Sequence, residues 1–243
     1  MSRIPVGIPH IFAKGFDAMT STVAFKDAKR ELSGLVAPLE RHALRWLVER
    51  IPTRINSDHL TILGFLALIA AGLFYWLAGT HDRLWLHAVN LMLFVNWFGD
   101  SLDGNLARFR KKSRPRYGFY VDHVVDAFGT LALFGGMAMS GFISERVACG
   151  LLALYYLLMI NSNLSAYTLG KFNVSYGLFG PTELRIVLAI GNLFLLTRTT
   201  STIFGQKFLM YDVGGCVAMV GMTITLVIAV MRNTAQLYRE ERV

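Results

Sequence analysis

A succession of apolar stretches, each close to the length that crosses a bilayer, dominates this sequence. Six are legible, at about 60–78, 84–99, 117–140, 147–164, 184–197 and 211–231. A hydrocarbon core takes about 20 helical residues to cross, and a helix inside it satisfies its own backbone. The fold class that follows is an all-α integral membrane protein, with six transmembrane helices preceded by an interfacial amphipathic helix. The fifth stretch is short and is expected to extend through the uncharged residues on either side. Composition agrees, with 54% hydrophobic residues, 16% charged and a mean hydropathy of +0.46. Three segments follow: a cytoplasmic N-terminal part over 1–59, the six-helix domain over 60–231, and a cytoplasmic tail over 232–243. No apolar run precedes Leu60, so the first span is expected to serve as its own insertion signal, without a cleaved leader. Residues 1–24 show no period and stay unassigned.

Charge gives the orientation. With the N-terminus in the cytoplasm, 20 of the 24 Lys and Arg fall on the cytoplasmic side, and only Arg83, Arg146, Arg198 and Lys207 fall opposite. That bias predicts two cytoplasmic termini. The net charge of +8 suits anionic lipid headgroups. Nucleic acid is not expected as a partner, because no stacking aromatics interleave with the basic cluster. Cys149 and Cys216 lie in apolar runs, form no zinc pattern and read as buried packing residues.

Ahead of the first span, "APLERHALRWLVERIP" (37–52) places Pro38 and Glu40 in a helical first turn. Leu39, Ala43, Trp46 and Leu47 recur at helical spacing against Arg41, Arg45 and Arg50. The expected setting is the membrane interface, with the apolar face in the headgroup boundary. Tyr75, Trp76 and Trp85 fall where an aromatic belt sits at the far surface. The small residues of "GGMAMSG" (135–141) permit close helix contact within or between protomers. "AYTLGKF" (166–172) reads as a cytoplasmic loop.

Into this apolar frame "GDSLDGNLARFRKKSRPRYGFYVDHVVD" (99–126) introduces four aspartates, Asp100, Asp103, Asp122 and Asp126. Each ionised carboxylate at bilayer depth costs roughly 2.5–3.5 kcal/mol unless compensated. On a helix Asp100 and Asp103 lie about 60° apart, and Asp122 and Asp126 about 40° apart. Two helices therefore each aim two carboxylates from one face. Joined by a short basic loop, they are expected as antiparallel neighbours, and four converging carboxylates suit Mg²⁺ or Mn²⁺. Gly104, Ala107 and Gly118 continue the two stripes and leave room beside the acids, with Arg108 at hand for a phosphate. Metals bridging a diphosphate would polarise phosphorus and neutralise a leaving group.

Asp100-x2-Asp103-Gly104-x2-Ala107-Arg108-x9-Gly118-x3-Asp122-x3-Asp126 resembles the signature of the CDP-alcohol phosphotransferases, integral membrane enzymes of phospholipid synthesis. The spacer from Arg108 to Gly118 is nine residues, where eight is commonest in the family. "INSDHLTILGF" (55–65) resembles the start of the family's first span, with Ser57-Asp58 where Pro-Asn is frequent, so no role is carried to it. The resemblance implies that Asp100, Asp103 and Asp122 ligate one or two divalent metals, and that Asp126 completes the site and acts as base. It implies a cytidine pocket lined by Asp100, Gly104, Ala107 and Gly118 and supported by Arg108. The implied reaction transfers a substituted phosphate from a CDP-alcohol to a second alcohol and releases CMP, in a homodimer. A bacterial inner (cell) membrane with a cytoplasmic site is the expected location.

"DHVVDA" (122–127) and "GPTELR" (180–185) resemble segments of the choline and ethanolamine phosphotransferases. They tilt the reading toward a CDP-aminoalcohol donor and a diacylglycerol acceptor. His123, about 60° from Asp126 on the helix, is then a second candidate base. Its alternative is a ring turned toward the interface or donating to a neighbouring carbonyl. Glu183 is either an acceptor-site residue or an acid in a helix's positive first turn. The competing reading uses CDP-diacylglycerol with a polar alcohol such as glycerol phosphate, inositol phosphate, inositol or serine, and would draw on Lys171, Arg185 and Arg116. From another class, a divalent-cation transporter also places acids in a membrane. Its sites lie near the midplane between inverted repeats, and no repeat is evident here.

Overall fold

The structure is a computed structural model and describes residues 37–170 and 181–242. Its helices are α1 (Ala37–Val48), α2 (Ser57–Thr80), α3 (Trp85–Phe109), α4 (Pro115–Met139), α5 (Glu145–Leu169), α6 (Pro181–Leu195) and α7 (Met210–Glu240). An antiparallel hairpin of β1 (Thr200–Ile203) and β2 (Gln206–Leu209) separates α6 from α7. Pro115 occupies the first turn of α4, where its missing N–H leaves no bond unmade. Ser144 caps α5 by accepting from the Val147 N–H, and Gly170 ends that helix in the left-handed conformation (φ 63°).

Helix α2 is the centre of the bundle. It packs along both α3 and α4, while α6 and α1 lie on α3, α5 lies on α4, and α7 lies on α5. Glycines bring these helices together. A Cβ on Gly99 would lie 2.7 Å from the Gly64 nitrogen, and a Cβ on Gly136 would overlap the Gly72 backbone. The small residues of 135–141 thus serve contact within the protomer at Gly136, while Gly135 faces open space. One apolar cluster, with Leu68, Tyr75, Leu86, Val89, Leu133 and Met137, fills the half of the bundle away from the aspartates. A second joins Leu44 and Val48 of α1 to Leu60, Leu102 and Leu106.

Several expectations are revised. By length and composition α2, α5 and α7 are able to cross a membrane, so three of the six expected spans stand on that criterion. Helices α3 and α4 carry the aspartates, and the 15 residues of α6 rise only about 22 Å. The fifth stretch extends toward Pro181 but stops at Leu195, because the hairpin follows. That hairpin was not expected; its turn residues Phe204 (φ 51°) and Gly205 (φ 78°) have the backbone of a tight two-residue turn. Cys149 and Cys216 are exposed, not buried. Tyr75 is fully buried and donates to Asn192 Oδ1 (2.8 Å), so it belongs to the core and not to an aromatic belt. Ala166–Leu169 of the expected loop continue α5, and Lys171 and Phe172 lie outside the described residues.

The amphipathic helix α1 is also turned differently. Leu44 and Val48 dock on the bundle with Ala43 and Leu47 beside them, while Leu39 and Trp46 are exposed. Only part of its apolar surface is therefore available to an interface. The outward residues of α2 (Ile62, Leu66, Leu73) and α7 (Val217, Val220, Ile224) are large and apolar, as a lipid-facing surface requires.

Candidate active site

The acid-bearing helices are not packed on each other. Helices α3 and α4 both lean on α2 and make little direct backbone contact, so the antiparallel pair expected from the sequence is held open as a cleft. Asp100 of α3 and Asp122 and Asp126 of α4 project into it, and their carboxylate oxygens lie within 4.8 Å of one another, all half-buried. Asp103 is bonded to neighbours of its own. Its Oδ2 accepts from the Thr61 hydroxyl of α2 (2.6 Å) and its Oδ1 from the Gly104 N–H.

Three carboxylates at this separation repel, and a cation is present to offset them. Arg185 of α6 donates through Nη2 to Asp100 Oδ2 (2.7 Å) and through Nε to Asn96 Oδ1 (2.7 Å). Asn96 is buried one turn before Asp100 and donates to the Gly64 carbonyl of α2 (3.0 Å). Carboxylate, amide and guanidinium thus fix α6 against α3 and α2 at the cleft. Oxygen donors of this kind suit a hard divalent cation, whose octahedral ligands lie roughly 3–4.2 Å apart at a bond length of about 2.1 Å. Small side-chain shifts bring the trio to that spacing.

The other expected site residues fall in graded positions. Ala107 is half-buried on the helix face that carries Gly104. Arg108 donates to Asn105 Oδ1 (3.1 Å) and lies over Gly104, where an added Cβ would come within 3.5 Å of its guanidinium. Gly118 has open space about it, as a pocket wall requires. His123 Nδ1 pairs with the Phe119 carbonyl (2.7 Å), its ring 4.2 Å from that of Phe119. This is the carbonyl-bonded alternative, and it occupies one ring nitrogen. Glu183 is buried in the first turn of α6. Arg116 is exposed in the first turn of α4, and Lys171 lies outside the described residues.

The basic loop after α3 anchors the segment between α1 and α2. Arg110 donates to the carbonyls of Ile51 (3.0 Å), Pro52 (2.9 Å) and Ile55. Arg114 pairs with Asp58 (2.5 Å), and that hydrogen bond holds its guanidinium pKa above the usual range. The pair is exposed, so its share in stability is small.

A sequence model of the CDP-alcohol phosphatidyltransferases matches residues 55–231, which contain the cleft and its aspartates. The chain belongs to this family. Its members are transferases that use CDP-alcohol donors and alcohol acceptors, generally with divalent metals. Among curated proteins it is similar to a phosphatidylinositol phosphate synthase from Streptomyces avermitilis, at 32% identity over 97 residues. That alignment covers 39% of this chain and only 37% of the relative's length.

Sequence reading missed Thr61, Asn96 and the placement of Arg185. Asn96 had a signal, since it extends the stripe of Asp100 back by one turn at i−4. Thr61 and Arg185 lie 42 and 85 residues from their partners, and no local pattern announces such pairs.

Proposed function

We propose that this chain is a membrane CDP-alcohol phosphotransferase whose divalent-metal centre is built on Asp100, Asp122 and Asp126, with Asp103 bonded beside it. The observation that carries the reading is the convergence of those three carboxylates from two helices in a cleft beside Arg185. A bound Mg²⁺ or Mn²⁺ would neutralise the diphosphate and polarise the phosphorus under attack. Arg108, lying over Gly104, and the open face of Gly118 receive the nucleotide. Asp126 takes the proton from the acceptor hydroxyl as its oxygen bonds to phosphorus, and the bond from phosphorus to the CMP oxygen breaks. Thr61 holds Asp103, and Asn96 with Arg185 holds Asp100, so both carboxylates of α3 are oriented before substrate arrives. In this reading the site opens on the cytoplasm and the protein works as a homodimer in a bacterial inner membrane.

Two donor classes compete. The aminoalcohol reading rests on His123 and on "GPTELR" (180–185), yet one ring nitrogen of His123 is engaged by Phe119. The CDP-diacylglycerol reading gains from a guanidinium at the carboxylates, where a phosphorylated acceptor would need one, and from the name of the Streptomyces relative. We favour CDP-diacylglycerol with a polar, phosphate-bearing alcohol. The test is CMP release by the purified protein with Mg²⁺ or Mn²⁺, comparing CDP-diacylglycerol, CDP-choline and CDP-ethanolamine across a panel of acceptors. Asp126→Asn should lower turnover by about 10²–10⁴-fold. Release from CDP-choline or CDP-ethanolamine with diacylglycerol would restore the aminoalcohol reading. Mn²⁺ uptake into liposomes without CMP release would favour a transporter.

A further inference from the structure

Glu40 lies on the inward stripe of α1, one and two turns ahead of Leu44 and Val48. Its Oε1 accepts three hydrogen bonds, from Trp97 Nε1 (3.0 Å), Ser101 Oγ (3.1 Å) and Thr182 Oγ1 (3.1 Å). Two of these donors belong to α3 and the third to α6. Ser101 adjoins Asp100 in sequence, and Thr182 stands one turn before Arg185. The two helices joined by the Asp100–Arg185 pair are therefore joined a second time, through a side chain supplied by a third helix.

Docking α1 does not require this arrangement. Leu44 and Val48 already bury themselves against Leu60, Leu102 and Leu106, and a single donor on α3 would satisfy one carboxylate oxygen. What three donors on two helices add is a fixed distance between α3 and α6. That distance sets where Arg185 meets Asp100, because both side chains leave their helices within a turn of the bridged residues. The outer face of α1, with Leu39, Arg41, Arg45 and Trp46 exposed, is the part left to meet a membrane surface.

We propose that Glu40 is a positioning residue that bridges α3 and α6 beside Asp100, so that cation binding at the carboxylate trio depends on the docking of α1. The inference rests on reading Asp100, Asp122 and Asp126 as a divalent-cation site, and it is separable from the choice of substrates.

The full-length protein in lipid nanodiscs is titrated with Mn²⁺ by electron paramagnetic resonance, as wild type, Glu40→Ala and Glu40→Gln. Glu40→Ala should bind Mn²⁺ about tenfold more weakly, the loss usual when a group supporting a ligand is removed. Its turnover should fall at a Mn²⁺ level that half-fills the wild-type site and recover when Mn²⁺ is raised about tenfold. Glu40→Gln keeps an oxygen that accepts from the same donors and should stay within about threefold of wild type. The Trp97 indole N–H resonance should move in Glu40→Ala and stay in Glu40→Gln. Unchanged Mn²⁺ affinity in folded Glu40→Ala overturns the proposal, and so does a Glu40→Gln variant as weak as the alanine. If Glu40→Ala does not fold, Ser101→Ala with Thr182→Val decides: affinity weakened by about threefold supports the bridge, and wild-type affinity refutes it. Wild type that binds Mn²⁺ but releases no CMP would sink the activity reading and leave the Mn²⁺ comparison valid. Wild type that binds no Mn²⁺ would sink the cation site and the proposal together.

Discussion

Arg185→Gln gives the sharpest test of the electrostatics at the cleft, because its two expected effects have opposite signs. In the structure the guanidinium sits 2.7 Å from Asp100, and both side chains are only about one-seventh exposed. Removing it leaves Asp100 facing Asp122 and Asp126 without its compensating charge. Breaking a buried pair from one side costs about 3–5 kcal/mol, and partial exposure puts this one at the low end. The metal-free variant should therefore unfold at lower temperature than wild type. Cation binding should move the other way. An ion bonded at about 2.1 Å to Asp100 Oδ2, the oxygen that Arg185 holds, would lie no more than about 4.8 Å from the Arg185 nitrogen. Repulsion between a divalent and a monovalent cation at that distance is about 1.7 kcal/mol in bulk water and about 7 kcal/mol at an effective dielectric of 20. Losing the hold on Asp100 works against this by about 1.4–2.7 kcal/mol. At an effective dielectric of 20, Mn²⁺ should still bind Arg185→Gln at least about tenfold more tightly, whereas Glu40→Ala keeps the charge and loses only its placement. Isothermal titration at fixed ionic strength reads the affinity, and thermal unfolding with and without Mn²⁺ reads the stability. Unchanged or weaker Mn²⁺ affinity would falsify the reasoning, since it would mean that Arg185 does not oppose an ion at these carboxylates.

Two further outcomes test the frame that holds the cleft. Gly136→Val forces a side chain into the Gly72 backbone and should lower stability by about 1–3 kcal/mol or more, whereas Gly135→Val meets open space and should be near neutral in the same thermal melt. Asn192→Ala removes the acceptor shared by Tyr75 (2.8 Å) and Tyr211 (2.5 Å) and the donor to Asn90 (2.7 Å). It should cost about 1–3 kcal/mol in a denaturant or thermal titration, with Mn²⁺ affinity unchanged because the network lies in the half of the bundle away from the aspartates.

The legible part of this protein was whatever a single helix decides. Run length announced the apolar helices, and the spacing of Asp122 and Asp126 placed both acids on one face, because 3.6 residues per turn is fixed by the backbone itself. The same rule identified α1 as amphipathic but misjudged which side faces the bundle. Its stripe is broad, and Leu44 and Val48 compete with Leu39 and Trp46 for the inward position. Cys149 and Cys216 look buried from the sequence and are exposed, because apolar sequence means burial in water, whereas a lipid-facing surface is apolar too.

Partnership between helices was not written in any local pattern. Four acids on two helix faces, and a family signature across the apolar helices, are readable from the residues alone. Only the fold packs α3 and α4 both on α2, so that the acids meet across a cleft. It also decided that Asp103 turns to Thr61 while Asp100 turns to Arg185. The physical reason is one of range. Side-chain direction along a helix is a property of the backbone, but the rotation and separation of neighbouring helices come from contacts such as Gly64 on Gly99 and Gly72 on Gly136, made by residues 35 and 64 positions apart.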